Sequence, residues 1–429
     1  MVAIPIPDLS LSLKNQKVHS MTNETPPVRT ITPESERVER VKVQLQTRFG
    51  VAADDIRVVR APLRICPLGA HIDHQLGVVT GMTIDQSLLL AFAPTADRSV
   101  QVESLNFTAP TRFTLDHIPP YTKGDWGNYI RGAALALQKD GALAHGIVGV
   151  VDSEMPVGGL SSSAAVTIAY LLALQTVNDM PRTPLENVAL VTRTEHDYIG
   201  LNNGILDQTS ILFSRPGSLT HIDCADRAIT QVQQGDAPDC DLMIIYSGVT
   251  ASSLVGTGYN NRVAECQEAA RLLLAYDDQP AVEDPRLRLV APQLFEQHGE
   301  RLPEALYKRA AHYFSEMERV QEGVAVWQAG DMARFGQLMT ASGASSVYQY
   351  ECGSPPMITL YQTLANTPGV HGARFSGAGF RGNCIALIDP AARAEVAQAI
   401  HAVYPSAHPE EASRYSIHFC KPAGPAEVL

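Results

Sequence analysis

Polar side chains of several kinds are concentrated in one short segment, RICPLGAHIDHQLG, at residues 64–77. Its residues of interest are Arg64, His71, Asp73 and His74, with the small Ala70 among them. Such a set of donors and acceptors could hold a sugar, and His and Asp are also common metal ligands. A polar turn without a function can have the same composition. The segment by itself therefore leaves a sugar site, a metal site and a plain turn open.

A second segment, PVGGLSSSAAV at residues 156–166, predicts a loop that binds phosphate groups. Gly158 and Gly159 let the backbone approach a ligand without a clash from Cβ atoms. A helix that begins just after them would direct its unpaired first N–H groups at the same ligand. The three serine hydroxyls add donors, or a ligand for a hard cation such as Mg²⁺. A glycine turn with serine caps is the alternative, and the segment is not a Walker A loop.

The segment GAGFRG at residues 377–382 matches the G-x-G-x-x-G pattern of dinucleotide-binding proteins. That pattern has this meaning only where it follows a strand and opens a helix. Here the residues after it, NCIALID, predict another strand. We therefore expect a hairpin connection that carries Arg381, and the pattern does not indicate a dinucleotide site.

Two acids, Glu195 and Asp207, lie in the segment EHDYIGLNNGILDQTS at residues 195–210, and Gly204 precedes the second acid. Read alone, this segment is typical of a helix end with a surface glutamate and an aspartate helix cap. A function for the two acids needs support from the rest of the chain.

Alternating strands and helices must position these segments. Strands are predicted at IRVVRAP, VVTGMTIDQSLLLAFAP and GIVGVVDSEMP, and later at CDLMIIYSG, GARFSG, CIALID and YSIHFC. Because helices lie between them without a regular βαβ repeat, we predict an α+β fold of two domains. The predicted divisions are a disordered extension at residues 1–32, a first domain at 33–215 and a second at 216–429.

Composition excludes several functional classes. The chain has 429 residues and a formal charge of −12, and it has no basic run. Nucleic acid or an anionic membrane is therefore not expected as the main partner. The seven cysteines include no C-x-x-C pair, so we expect reduced thiols and a cytoplasmic protein. No segment predicts a membrane span.

Taken together, the ordered segments resemble the GHMP small-molecule kinases, and within them the galactokinase branch. The segment APLRICPLGAHIDHQLG is similar to the family's first motif, GLSSSA at residues 159–164 matches the second, and SGAGFRG is similar to the third. The interval from Glu195 to Asp207 and the segment GYNNRVAEC around Tyr259 also match. The resemblance runs from about residue 51 to about residue 389.

The resemblance implies a fold, a reaction and a role for each residue. The fold would be a two-domain GHMP kinase with a ribosomal-S5-domain-2-like first half, a ferredoxin-like second half and the active site in a cleft between them. Asp207 would accept or orient the proton of an anomeric hydroxyl beside Arg64. ATP phosphates would bind at Val157, Gly158, Gly159, Leu160, Ser161, Ser162 and Ser163, and Mg²⁺ at Ser163 and Glu195. The sugar would contact Ala70, His71, Asp73, Gly204, Tyr259 and Arg381.

Two departures from the family pattern bear on the substrate. Galactokinases have Glu where this chain has Ala70, and Gly where it has Arg381. Losing an acid and gaining a base around one pocket favours a negatively charged sugar, and we predict ATP-dependent phosphorylation of D-galacturonate at its anomeric hydroxyl. Galactose is the alternative substrate, and a sugar-binding sensor without activity is a second alternative. We expect small-molecule substrates and a monomer or weak dimer.

Overall fold

A computed structural model describes residues 25–156, 158–250, 255–277 and 280–429. The chain divides into two compact units, each built from separate stretches of sequence. We call the unit of residues 30–65, 81–222 and 421–429 the first unit. The second unit comprises residues 66–80 and 223–420, together with the described residues before residue 30.

The strands are numbered in chain order. They are β1 (Arg57–Ile65), β2 (Val78–Thr95), β3 (Ser99–Ser104), β4 (Thr111–Thr114), β5 (Gly146–Ser153), β6 (Ser218–Asp223), β7 (Ala228–Gln233), β8 (Asp241–Tyr246), β9 (Val370–Phe375), β10 (Asn383–Ile388), β11 (Ser416–Cys420) and β12 (Glu427–Val428).

The helices are numbered in the same way. They are α1 (Glu34–Phe49), α2 (Asn128–Gln138), α3 (Ser162–Val177), α4 (Pro184–Arg193), α5 (Leu206–Phe213), α6 (Val255–Tyr276), α7 (Pro292–His298), α8 (Glu304–Gln328), α9 (Met332–Tyr348), α10 (Pro355–Ala365) and α11 (Arg393–Ala407).

A twisted sheet in the order β12-β1-β2-β5-β3-β4 forms the centre of the first unit, and β6 also pairs with β2. Neighbouring strands on this path are antiparallel except β3 and β5, which are parallel. Helix α1 covers one face, where Val41 and Leu45 pack with Leu89, Ala91 and neighbouring apolar residues. Helix α3 packs on β1 and β5 and is buried along most of its length, as its apolar sequence requires. The sheet thus fixes the start of α3.

The second unit contains a sheet of antiparallel strands in the order β11-β8-β10-β9. Helices α9 and α10 pack on β9, and α11 packs on α10. This β-α-β-β-α-β succession, with β8 and β10 at the centre of the sheet, is the ferredoxin-like arrangement. The predicted α+β fold and the ferredoxin-like second half are therefore confirmed.

Local signals explain most of the helix ends that the sequence predicts. Helix α1 begins after Pro33, and Gly50 ends it in the left-handed conformation with φ of 67°. Helix α4 has Pro184 at its start and a capping box between Thr183 and Glu186. The short helices α5 and α7 and the strands β3, β4, β7 and β12 were not predicted from the sequence.

The start of the ordered chain differs from the predicted extension. Residues 1–24 lie outside the described residues, so the prediction of disorder is not tested there. Within residues 25–32, however, the Arg29 N–H donates to the Ile417 carbonyl at 2.9 Å, and the Ile417 N–H donates to the Pro27 carbonyl at 3.1 Å. Within residues 25–32, the predicted extension therefore has backbone hydrogen bonds to β11. The predicted division near residue 215 stays a prediction, since compact units and sequence domains are different divisions of a chain.

None of the described helices combines the length and the apolar composition that a membrane-crossing helix needs.

Candidate active site

The predicted phosphate loop is a tight turn that leads directly into α3. Gly158 has φ of 131° and Gly159 has φ of 74°, which are conformations that favour glycine. Ser161 has φ of 59°, an uncommon value for a residue with a side chain. Val157, the first predicted residue of this loop, lies outside the described residues. The turn brings the chain to the beginning of a buried helix, as the sequence predicts.

Two hydroxyl groups in this loop are buried and lack a protein partner. The Oγ atoms of Ser161 and Ser162 have no hydrogen bond within the part of the chain that the structure describes. Neither serine acts as a side-chain cap of α3, so the alternative of ordinary serine caps is not supported. Since buried polar groups are nearly always hydrogen-bonded, these hydroxyls indicate a ligand with acceptor atoms. An anion at the positive end of α3 meets that requirement.

Arg64, at the end of β1, connects this loop to Asp207. Its Nε and Nη2 atoms each lie 2.7 Å from Oδ1 of Asp207. Its Nη1 donates to the Gly159 carbonyl at 3.0 Å, and its backbone N–H donates to the Leu160 carbonyl at 3.1 Å. The Arg64 side chain is 4% exposed and that of Asp207 is 22% exposed, so the carboxylate remains accessible. Both of these contacts with Asp207 are made to its Oδ1 atom.

Close packing of α5 on β2 sets the position of Asp207. A Cβ atom on Gly81 would lie 1.8 Å from Oγ of Ser210, so only glycine fits at that point of the strand. Asp207 is in the first turn of α5, where the helix dipole stabilises a negative charge. The sequence suggested an aspartate helix cap as the alternative. The side chain of Asp207 instead pairs with Arg64 on β1.

Glu195 lies in a π-helical turn, Thr194–Ile199, that follows α4. It is 1% exposed, and its Oε2 accepts a hydrogen bond from Nδ2 of Asn203 at 2.8 Å. The alternative of a surface glutamate is therefore wrong. Gly204 follows Asn203, and its carbonyl accepts from Nε2 of Gln208 at 3.2 Å. The first unit thus contains Glu195, Gly204 and Asp207. It also contains residues 158–163 of the predicted phosphate loop, which we call the serine loop.

The remaining loop residues, from Cys66 onward, belong to the second unit. His71 has φ of 62°, and Gly69 has φ of 92° and lies so close to Val79 that a Cβ atom would clash. Ala70, His71, Asp73 and His74 are all buried. We call residues 66–77 the sugar loop, after the role predicted for it. Its polar groups need internal partners because they are withdrawn from water.

The hydrogen bonds of His74 define its tautomer. The Gln75 side chain donates to Nδ1 of His74 at 3.0 Å, and its Oε1 accepts from the Leu287 N–H at 3.1 Å. The proton of His74 is therefore on Nε2, which donates to the Tyr350 hydroxyl at 3.1 Å. Burial, with the charge of Arg286, lowers the pKa of His74 to about 3, so the ring is neutral near pH 7.

Tyr350 also contacts the other loop histidine. Its ring stacks on His71 at a centroid distance of 4.3 Å, and Sγ of Cys352 lies 3.5 Å from Nε2 of His71. Tyr259, the predicted sugar contact on α6, lies edge-on to His74 at 5.9 Å. The structure therefore brings His71, His74 and Tyr259 together around Tyr350, a residue that the sequence analysis missed.

Helix α8 holds the backbone of the sugar loop from one face. Nε2 of His312 donates to the Ala70 carbonyl at 2.9 Å, and its Nδ1 lies 2.8 Å from the Ser345 hydroxyl. One turn further along, Oε1 of Glu316 accepts the Gly69 N–H at 2.8 Å. These two bonds fix the peptide groups on both sides of the Gly69–Ala70 linkage. Sequence reasoning missed both residues, because neither is distinguishable by type from the surface residues of a long helix.

Arg381 lies in the hairpin connection between β9 and β10, as predicted. It is partly exposed, and its charge opposes the raised pKa that burial gives the Tyr246 phenol. No contact joins Arg381 to residues 70–73 in the described part of the chain. Its predicted role in binding the substrate stays a prediction.

The metal-site alternative for the sugar loop receives no support. Within the described ranges, no three His, Cys, Asp or Glu side chains are arranged to hold a metal ion. The neutral His74 ring already uses both of its nitrogen atoms in hydrogen bonds to Gln75 and Tyr350.

Comparisons with known proteins agree with this arrangement. Models of the GHMP kinase N-terminal domain, the GHMP kinase C-terminal domain and the galactokinase galactose-binding signature match residues 128–215, 321–406 and 44–94. A galacturonokinase from Arabidopsis thaliana is 40% identical over 422 residues, covering 92% of this chain and 99% of that protein. A galactokinase from Roseiflexus sp. is 34% identical and covers 84% of this chain and 91% of that protein.

Solved structures give the same answer for the fold. The structure of Lactococcus lactis galactokinase complexed with galactose matches with a TM-score of 0.83 and 27% identity, over 92% of this chain and 100% of that one. A Methanococcus jannaschii mevalonate kinase matches with a TM-score of 0.60 and 15% identity, over 86% of this chain and 98% of that one. The second match shows a shared fold alone.

The chain belongs to the GHMP kinases. Within them it lies in the branch that contains galactokinases and galacturonokinases, and it is an ATP-dependent sugar kinase. Its substrates are a sugar and ATP.

The contacts of His312 predict a specific effect on sugar binding. His312→Leu removes the donor to the Ala70 carbonyl and leaves that buried acceptor unpaired, which costs about 1–3 kcal/mol. We expect the KM for the sugar to rise about tenfold or more while the KM for ATP stays unchanged. His312→Gln keeps an N–H near the position of Nε2 and should retain most of the affinity. Steady-state kinetics on both variants test this prediction. An equal increase in the KM for the sugar and the KM for ATP in His312→Leu would contradict it.

Proposed function

We propose that the protein transfers the γ-phosphoryl group of ATP to the anomeric hydroxyl of D-galacturonate, giving galacturonate 1-phosphate and ADP. The contact of Arg64 with both Asp207 and the Gly159 carbonyl carries this proposal, because it places a carboxylate beside the serine loop. The similarity to a galacturonokinase over most of the chain supports the choice of substrate.

Asp207 is the proposed catalytic residue. Its carboxylate accepts or orients the proton of the anomeric hydroxyl as the oxygen of that hydroxyl bonds to phosphorus and the bond to ADP breaks. Arg64 holds Asp207 and the loop carbonyl in fixed positions. Phosphoryl transfer depends on positioning and on charge neutralisation more than on covalent chemistry, so this preorganisation is a large part of the expected rate.

The serine loop is the proposed site of the ATP phosphates. The unpartnered hydroxyls of Ser161 and Ser162 and the first N–H groups of α3 supply the donors. Ser163 and the buried Glu195 offer two oxygen ligands of the kind that Mg²⁺ prefers. A bound Mg²⁺ would neutralise negative charge on the ATP phosphates, and the oxygen atoms of Ser163 and Glu195 are suitable ligands for it.

The sugar loop and Tyr259, both in the second unit, are the proposed sugar site, and Gly204 stays a predicted sugar contact. His71 and Asp73 are proposed to bind the ring hydroxyls; both side chains are buried, and His71 stacks on Tyr350. Ala70 is proposed to face C6, where a small uncharged side chain tolerates a carboxylate. Arg381 is proposed to bind an anionic group, either that carboxylate or a phosphate.

Galactokinase activity on D-galactose is a second candidate function. It is favoured by the match of residues 44–94 to the galactose-binding signature and by the galactose-bound neighbour. Ala70 favours galacturonate over this second candidate, because galactokinases have Glu at the corresponding position.

A substrate panel tests the proposed function. Release of ADP is measured with ATP and Mg²⁺ on galacturonate, glucuronate, galactose and arabinose, each over a range of concentrations. We expect the highest kcat/KM for galacturonate. Turnover of galactose alone would assign the protein to the second candidate function, and binding of a sugar without any ADP release would identify a sensor.

Asp207→Asn should lower turnover by a factor on the order of 10² or more, because the amide cannot accept the proton. ATP binding, measured by calorimetry, should not change. Asp116→Asn is the control, since the side chain of Asp116 is 69% exposed and lies in the same unit. Turnover of the Asp207 variant near the wild-type rate would show that this carboxylate has no part in the reaction.

Ala70→Glu should reverse the preference between the two sugars. Two like charges about 4 Å apart repel by roughly 1 kcal/mol in water and by roughly 4 kcal/mol at a partly buried site. The ratio of kcat/KM for galacturonate to that for galactose should therefore fall by about ten- to a thousandfold. Ala70→Gln adds the same bulk without the charge and should affect both sugars alike. An unchanged ratio in the Glu variant would remove the argument for a uronate.

A further inference from the structure

Three charged side chains form a buried group directly beneath the sugar loop. Glu316 is fully buried on α8, its Oε2 lies 2.6 Å from Nε of Arg319, and its Oε1 lies 3.6 Å from Nη1 of Arg374. The side chain of Arg374 on β9 is 1% exposed and that of Arg319 is 14% exposed. One carboxylate thus serves two guanidinium groups. We call these residues the Arg-Glu-Arg triad.

The triad touches the loop backbone at the residues that precede Ala70. Glu316 accepts the Gly69 N–H, and Nη1 of Arg374 donates to the Pro67 carbonyl at 3.3 Å. The other acceptors of Arg374 are neutral, namely the Ser342 hydroxyl at 2.8 Å and the Phe375 carbonyl at 3.1 Å. None of these contacts compensates the second positive charge.

The charge of the triad is +1. Burial opposes ionisation of Glu316, but the charges of Arg319 and Arg374 outweigh it and hold the pKa of this carboxyl well below its usual range. The adjacent histidine adds no charge, because burial lowers the pKa of His312 to about 4. No second carboxylate lies within 4 Å of either guanidinium in the part of the chain that the structure describes.

Residues 67–72, the part of the loop nearest the triad contacts, contain no acidic side chain. Residues 67–72 are Pro-Leu-Gly-Ala-His-Ile, and His71 is neutral because burial and the neighbouring positive charges lower its pKa. The first acid in the loop is Asp73. An uncompensated positive charge in a low-dielectric interior acts over a longer distance than one in water. The electrostatic field at Ala70 therefore includes that of a group with a net charge of +1, of which Glu316 and Arg374 are buried.

We propose that the net positive charge of the Arg319–Glu316–Arg374 triad, set under Gly69 and Ala70, is what selects a sugar with a carboxylate at C6 over one with a hydroxyl. This inference rests on the proposed function. The triad does not touch the substrate; it determines specificity through its field and through the loop backbone that it holds. The carboxylate of the substrate supplies a negative charge where the described residues place no second carboxylate within 4 Å of the two guanidinium groups.

The test varies the charge of the triad in both directions and reads a ratio. Arg319→Gln reduces the triad to a charge of zero at the position most accessible to water, and Arg319→Lys keeps the charge as its matched control. Glu316→Gln raises the charge to +2 while its side-chain oxygen still accepts the Gly69 N–H. For each variant, kcat/KM is measured for galacturonate and for galactose, and thermal melting verifies folding.

The ratio of the two kcat/KM values should fall about tenfold in Arg319→Gln, stay within about twofold in Arg319→Lys and rise in Glu316→Gln. A change of this size is what one unit charge produces at about 10 Å with an effective dielectric constant of about 20. A merely structural effect would reduce both activities together and leave the ratio unchanged, which would overturn the proposal. Should one variant not fold, the other still decides, because the two ratios are expected to move in opposite directions.

The wild-type protein separates this inference from the proposed function. If it does not phosphorylate galacturonate at all, the proposed function is wrong. If it does, and the ratio is the same in all variants, only the inference about the triad is overturned.

Discussion

The contacts of the Arg64 side chain are the interaction on which the proposed catalytic site of the first unit depends. It joins β1 to the carboxylate of Asp207 on α5 and to the carbonyl of Gly159 in the serine loop. Its backbone N–H fixes the next carbonyl of that loop, that of Leu160. A planar guanidinium can satisfy these acceptors at once because its donors are fixed in one plane. Without it, the carboxylate and the loop would each lose the partner that sets its position.

A different principle organises the second unit around the sugar loop. There the loop is buried, and His312, Glu316 and Tyr350 satisfy its backbone and its histidines. A fully paired network of this kind is rigid, so the proposed sugar site would be formed before a ligand binds. Among the described residues, the Arg-Glu-Arg triad gives this network a net positive charge, which suits the anionic sugar that we propose as substrate.

The sequence predicted the motifs and most of the elements because each has a local cause. Glycines with positive φ, the proline before α1 and the apolar run of α3 are visible without a structure. The roles of His312 and Glu316 are not, since their loop partners lie more than 240 residues away in the chain. The same holds for Glu195, whose burial in a π-helical turn contradicts the surface position that its local sequence suggests.

The central claim is that this sugar kinase prefers an acidic sugar because of charge around its sugar loop. A competition experiment measures that preference directly. Galacturonate and galactose are mixed at equal concentrations with limiting ATP, and the amount of each sugar 1-phosphate is measured by phosphorus NMR. The ratio of products equals the ratio of the two kcat/KM values. We expect galacturonate 1-phosphate to exceed galactose 1-phosphate at least tenfold, the effect of about 1.4 kcal/mol. An excess of galactose 1-phosphate would contradict the account.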